Sequence, residues 1–287
     1  MAVRDLGYKP YEGSRLPASH NTWVLLRHGL NRAWGSWLVK IAAFTAWIPP
    51  IVAMALVGFF FWLTQNAPPG AEAQTPELPA ASFVRSLFDW QMWIFVTMVT
   101  IGAGAGAIAE DFTFKSFQFY FAKPVTPPQY LLGRIGAVAI WVFMLTFPPA
   151  LLIVLELVGT APEELRLEQA GLLLPALFYS LIMSVVTSAA AIGVSSLSKS
   201  RALTMSAWIT LFLVPHALGT IVEAISEWPW LLLASLPAVL GVVGDALFKI
   251  EPETALRWYH AMPVLIAVGA GGVYVAWRRI QSAEVIT

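Results

Sequence analysis

The sequence predicts an all-α integral membrane protein with six transmembrane helices, and three observations carry that prediction. Of 287 residues, 58% are hydrophobic and only 12% are charged, where an ordinary soluble domain carries roughly 25% charge. Six uncharged stretches are long enough to cross a bilayer. The basic residues fall almost entirely on one side of those stretches, an asymmetry hidden by the formal net charge of +0. The absence of cysteine excludes a disulfide framework, thiolate metal sites and a cysteine nucleophile.

Lys40 to Glu72 leaves 31 uncharged positions, Asp89 to Glu110 leaves 20, and Arg134 to Glu156 leaves 21. Glu168 to Lys199 leaves 30, Arg201 to Glu223 leaves 21, and Arg257 to Arg278 leaves 20. A helix rises 1.5 Å per residue, so about 20 apolar residues cross roughly 30 Å of hydrocarbon. A seventh stretch, Glu227 to Asp245, leaves only 17 and contains Pro229 and Pro237. It is expected to form an apolar outer re-entrant hairpin between spans five and six. An even number of spans puts both termini on one side. With that side cytoplasmic, the inner segments hold 13 of the 17 basic residues, so the positive-inside bias places the N- and C-termini in the cytoplasm. A single domain over residues 1–287 is expected, with no cleavable signal peptide, because the first apolar run follows a long polar start.

Along the chain, Trp23, Leu26, Leu30, Trp34 and Trp37 recur at helical spacing, with Asn21, His28, Asn31 and Arg32 mainly opposite. That pattern predicts an N-terminal amphipathic helix lying in the headgroup plane. The first span is expected near 41–63, kinked by Pro49-Pro50, and the second near 90–109, ending in Gly102, Gly104 and Gly106. The third falls near 135–157, the fourth near 171–196, the fifth near 202–222 with Pro215-His216, and the sixth near 260–277.

Several chemistries have no support. There is no Gly-x-x-x-x-Gly-Lys-Ser/Thr phosphate loop, and the four histidines are too dispersed for a metal motif. No charged residue lies near the centre of a span, where an ion-driven carrier usually keeps one. His216 is an ionisable side chain well inside a span. It has two readings: a residue lining a transport path, or one hydrogen-bonded to a backbone carbonyl freed by Pro215.

The loop between the second and third spans reads Gly106-Ala-Ile-Ala-Glu-Asp111, Lys115, Phe119-Tyr-Phe-Ala-Lys-Pro-Val125, then Gln129-Tyr-Leu-Leu-Gly-Arg134. It resembles the type-2 permease group of ATP-binding-cassette (ABC-2) exporters, with Tyr120 to Val125 and Tyr130 to Arg134 matching that group's order. Thr126-Pro127-Pro128 departs from its usual Ser/Thr-Arg pair. The resemblance implies a membrane subunit without enzymatic activity of its own. It would sit in the plasma (bacterial inner) membrane, pair with a second permease copy as a homodimer or heterodimer, and be driven by two separate nucleotide-binding ATPase subunits. Cofactors are expected only on that partner, as ATP and Mg. No nucleic-acid partner is expected.

In such permeases this loop forms a cytoplasmic coupling helix that docks on the ATPase. The resemblance implies that role for Glu110, Asp111, Lys115, Phe119, Tyr120, Lys123 and Tyr130. The composition is compatible: six aromatics fall between Phe112 and Phe121 among charged neighbours, as at a protein interface or a membrane-surface anchor. The resemblance also places Gly102, Gly106, Pro215 and His216 on the translocation path or dimer face. Gly102 and Gly106 share one face of a regular helix, a small-x-x-x-small surface suited to a gating contact at the dimer axis or to static packing within the chain. The alternative function is a membrane-embedded enzyme or assembly factor using Glu163, Glu164, Glu223 and Glu227 as an acidic outer site. The transported substrate is not specified, because one such scaffold serves many cargoes.

Overall fold

The computed structural model describes residues 17, 20–66, 79–121 and 125–284, and all regular structure among them is helical. The elements are α1 (His20–Trp34), α2 (Trp37–Gln65), α3 (Ala80–Thr113), α4 (Phe117–Phe121), α5 (Pro127–Thr160) and α6 (Glu163–Ser195). There follow α7 (Arg201–Ser226), a 3-10 turn at Pro229–Ala234, α8 (Leu236–Leu247) and α9 (Trp258–Glu284). Six of these, α2, α3, α5, α6, α7 and α9, are long and apolar enough to cross a membrane, which fits a multi-pass membrane protein.

The helix boundaries follow local signals. Thr126 and Gln129 form a capping box and Pro127 occupies the first turn, so α5 starts there. Ser200 and Ser235 cap α7 and α8 by accepting from the Leu203 and Ala238 N–H groups. In α2 the expected proline kink falls slightly earlier. The helix is interrupted at Ala46–Trp47, and Pro49-Pro50 occupy the first turn of the continuation, where their missing N–H groups cost little. α3 begins ten residues before the predicted edge of the second span, because Arg85 is accommodated inside the protein rather than in an outer loop.

The bundle has a centre and a periphery. In the most apolar stretch of each span, 61% of α3 and 44% of α5 is buried, against 17% of α2, α7 and α9. The exposed outer faces carry Leu, Ile, Val and Phe, the side chains that lipid rather than water would cover. α5 packs chiefly on α6 and α1, and α6 on α9. The α6–α9 crossing is tight because glycines meet there: a Cβ on Gly193 would lie 2.5 Å from Gly272 Cα.

After α7 the chain turns back on itself. Leu232 packs against Gly219, and Ser235 reaches His216, ten residues before the last residue of α7. At 1.5 Å per residue the segment therefore descends roughly 15 Å along α7. α8 then buries Leu236, Val239, Leu240 and Val243 and returns to Arg85. There Arg85 donates to Asp89 at 2.6 Å and to the Gly241 carbonyl at 3.1 Å, pairs with Asp245 at 2.9 Å, and lies over the Tyr179 ring.

Candidate functional site

The opposite end of the bundle is built around the acidic pair Glu110-Asp111, and the chain reaches it through an irregular helix. Within α3, Gln91–Val96 and Thr100–Gly104 form π-helical turns, the second closed by the Ala105 N–H bond to the Thr100 carbonyl at 2.7 Å. Such widened turns are rare and often occur at functional sites. The helix breaks at Ala105–Gly106 and restarts at Ala107. Its freed Ile108 and Ala109 N–H groups donate to the buried Ser195 hydroxyl of α6, at 2.9 and 3.2 Å.

Beyond this cap the two carboxylates gather arginines from three other elements. Arg32 of α1 pairs with both Glu110 and Asp111, the latter at 3.0 Å. Arg134 of α5 pairs with Asp111, Tyr130 donates its hydroxyl to Asp111, and Arg201 of α7 pairs with Glu110. Arg134 also donates to Tyr120 Oη at 3.2 Å. Asp111 is 2% exposed, Tyr130 0% and Arg134 6%, so the centre of the network is dry, with the Asp111 carboxylate set against the Arg134 guanidinium. Burial and Arg134 oppose the Arg32 charge, but Asp111 and Glu110 outweigh them and hold its pKa above the usual arginine value. At the neighbouring His28, burial, Arg134 and Arg32 together push the imidazole below its usual value.

From the network the chain makes a helix-turn-helix. The Ser116 N–H bonds to the Asp111 carbonyl and the Lys115 N–H to the Phe112 carbonyl, a Schellman ending with Lys115 in the left-handed region at φ 54°. α4 follows. The aromatics then divide by direction. Phe117 packs on Phe112 and Tyr130, with ring centroids 4.7 and 5.4 Å apart, and Arg279 of α9 covers Phe112. Phe114 and Phe119 point outward, 71% and 74% exposed.

Several sequence-derived candidates therefore converge. Glu110, Asp111, Tyr120 and Tyr130 meet in one network, and Lys115 and Phe119 lie on the surface beside it. Lys123 lies outside the described residues. Asp111 and Tyr130 are consumed internally and present no surface to a partner.

The glycine face is a different matter. Gly102 lies within the second π-helical turn and Gly106 follows the break at Ala105, so the regular helix that their spacing assumes is interrupted between them. A Cβ on Gly102 would lie 2.7 Å from Ser36 Oγ and 3.0 Å from Leu38 Cβ, and one on Gly106 2.8 Å from Arg201 Cγ. Both positions are occupied by packing within the chain. His216 accompanies Pro215 on α7 but bonds to Ser235 Oγ, at 3.1 Å, rather than to a carbonyl freed by Pro215, and its ring packs on Trp93. Glu163, Glu164 and Glu227, the acidic residues of the alternative reading, are exposed, and among the described residues no group of three or more His, Asp or Glu is arranged to hold a metal ion.

Sequence reasoning missed the cations of the site. Arg32 read as part of a water-facing stripe, and Arg134 and Arg201 read as markers of where spans end. α1 has a second packing face that the tryptophan stripe hides: Gly29 and Ala33 are buried, and a Cβ on Gly29 would lie 2.7 Å from Ala137 Cβ. The signal was present as small residues four apart in both α1 and α5. Trp23, Trp34 and Trp37 point outward, as that stripe requires. No family model matches the chain, and no curated protein matches it.

Proposed function

We propose that this chain is the membrane-spanning permease subunit of an ATP-driven exporter of the ABC-2 type. Two copies form the translocation path, and separate ATPase subunits, which bind ATP and Mg, drive them. The observation that carries the reading is the pairing of an outward aromatic surface, Phe114 and Phe119, with a charge network at its root. Exposed aromatics beside charge are typical of a docking surface. Asp111 and Glu110 tie that surface to α1, α5 and α7, so a displacement of the docked segment reaches several helices together. In this reading the arginine-rich end faces the cytoplasm with both termini, in agreement with the Lys/Arg bias. The membrane is then the bacterial inner membrane, α1 lies at its inner surface, and the segment from Pro229 to Leu247 re-enters from outside.

Affinity purification of the full chain from its native membrane tests this. The expected result is a stoichiometric ATPase partner and ATP hydrolysis by the complex. Phe114→Ala with Phe119→Ala should reduce copurification while leaving membrane levels normal, since an aromatic hot spot contributes about 2 kcal/mol or more. A pure, active preparation without any ATPase chain rejects the proposal.

A further inference from the structure

We propose that the cavity beside the charge network binds the phosphate of an anionic lipid headgroup. The cavity has a volume of about 360 Å³ and lies between α1, the start of α2, α3 and α5. Arg32, Arg134 and Arg201 line it, with Glu110 as the one carboxylate on its wall. Most of the remaining wall is glycine and alanine, Gly29, Gly35, Gly102, Gly106 and Ala103 among them.

The charge is not balanced. Three guanidinium groups face the two carboxylates Glu110 and Asp111, leaving a formal excess of one positive charge. Among the described residues, carboxylates engage four of the nine guanidinium nitrogens: both terminal nitrogens of Arg32 and one each of Arg134 and Arg201. The others keep N–H donors in the planar fork that suits a phosphate.

The position selects the source of the phosphate. Trp37 lies on the cavity rim and is 67% exposed, and Trp23 and Trp34 are exposed along the adjoining helix. Outward tryptophans sit at headgroup depth, where the phosphate available is that of a lipid. The inference requires a membrane-embedded chain and is independent of coupling to an ATPase, so either proposal can fail alone.

The test uses the purified full chain in detergent, with thermal melting and native mass spectrometry after adding phosphatidylglycerol, phosphatidylcholine or inorganic phosphate. Phosphatidylglycerol should be retained and should raise the melting temperature, with phosphatidylcholine weaker and inorganic phosphate without effect. Arg201→Gln removes one fork, and Ala103→Leu fills the cavity without touching a charge. Each should weaken phosphatidylglycerol retention about tenfold or more, the scale of a lost charge-assisted bond. If Arg201→Gln lowers the lipid-free melting temperature, Ala103→Leu decides. Equal retention by Ala103→Leu and the unaltered chain overturns the site. Equal retention of the two lipids overturns its anionic preference, and protection or competition by inorganic phosphate overturns the lipid source.

Discussion

The two ends of the bundle solve the same problem differently. At the hairpin end, Arg85 alone gathers Asp89, Asp245 and the Gly241 carbonyl, leaving a formal charge of −1 over one guanidinium and two carboxylates. At the other end, the junction of α1, α3, α5 and α7, three arginines share two carboxylates, leaving +1 and an open cavity. A single buried hub anchors one element, here α8, to the bundle. A network in which each carboxylate bridges two helices ties α1, α3, α5 and α7 together, so those helices respond as a unit. The ends thus differ in what a perturbation would spread to, as well as in the sign of their charge.

Asp111→Ala should separate the two ends most strongly. It leaves Arg134, 6% exposed, without its carboxylate and Tyr130 without its acceptor. Removing one partner of a buried pair costs about 3–5 kcal/mol, so folded protein recovered in detergent should fall severely. Arg85→Ala should cost less, about 1–3 kcal/mol, because Asp89 and Asp245 retain access to solvent at 45% and 22%. Its effect should stay local, seen as faster hydrogen exchange in α8 with little change in α1. An Arg85→Ala protein that melts below Asp111→Ala would invert the ranking of the two ends.

Gly102→Leu probes the wall of the junction end without altering its charge. The new side chain collides with Ser36 and Leu38, and overpacking of this kind costs about 1–3 kcal/mol. Reduced expression, partly restored by Leu38→Ala, is the expected outcome. Normal expression together with crosslinking of a cysteine at this position to a second copy would return Gly102 to a dimer face.

The smallest effect is a pH dependence at His28. Its folded pKa lies below the ordinary value of 6.5, so as pH falls through that value the unfolded chain takes up the proton first. Stability from this group is therefore lost on acidification and unaffected above about pH 7. Melting curves of His28→Asn should be flatter between pH 7 and 5 than those of the unaltered chain. Identical slopes would show that the folded state does not hold the His28 imidazole below its ordinary value.

Much of this was determined by sequence alone. The uncharged windows specify six membrane-length helices, because hydrocarbon demands about 20 apolar residues and tolerates no unpaired backbone. The tryptophan stripe of α1 and the caps at Thr126, Ser200 and Ser235 are equally local signals. The tertiary structure decided the rest, because those features depend on partners distant in the chain. Arg32 meets Glu110 and Asp111 only when α1 folds onto α5 through Gly29. Arg85 becomes an internal anchor only when α8 returns to it. Gly102 packs against Ser36 and Leu38 and Gly106 against Arg201, and between them a π-helical turn and a break depart from the constant angular step that helical spacing read from sequence assumes.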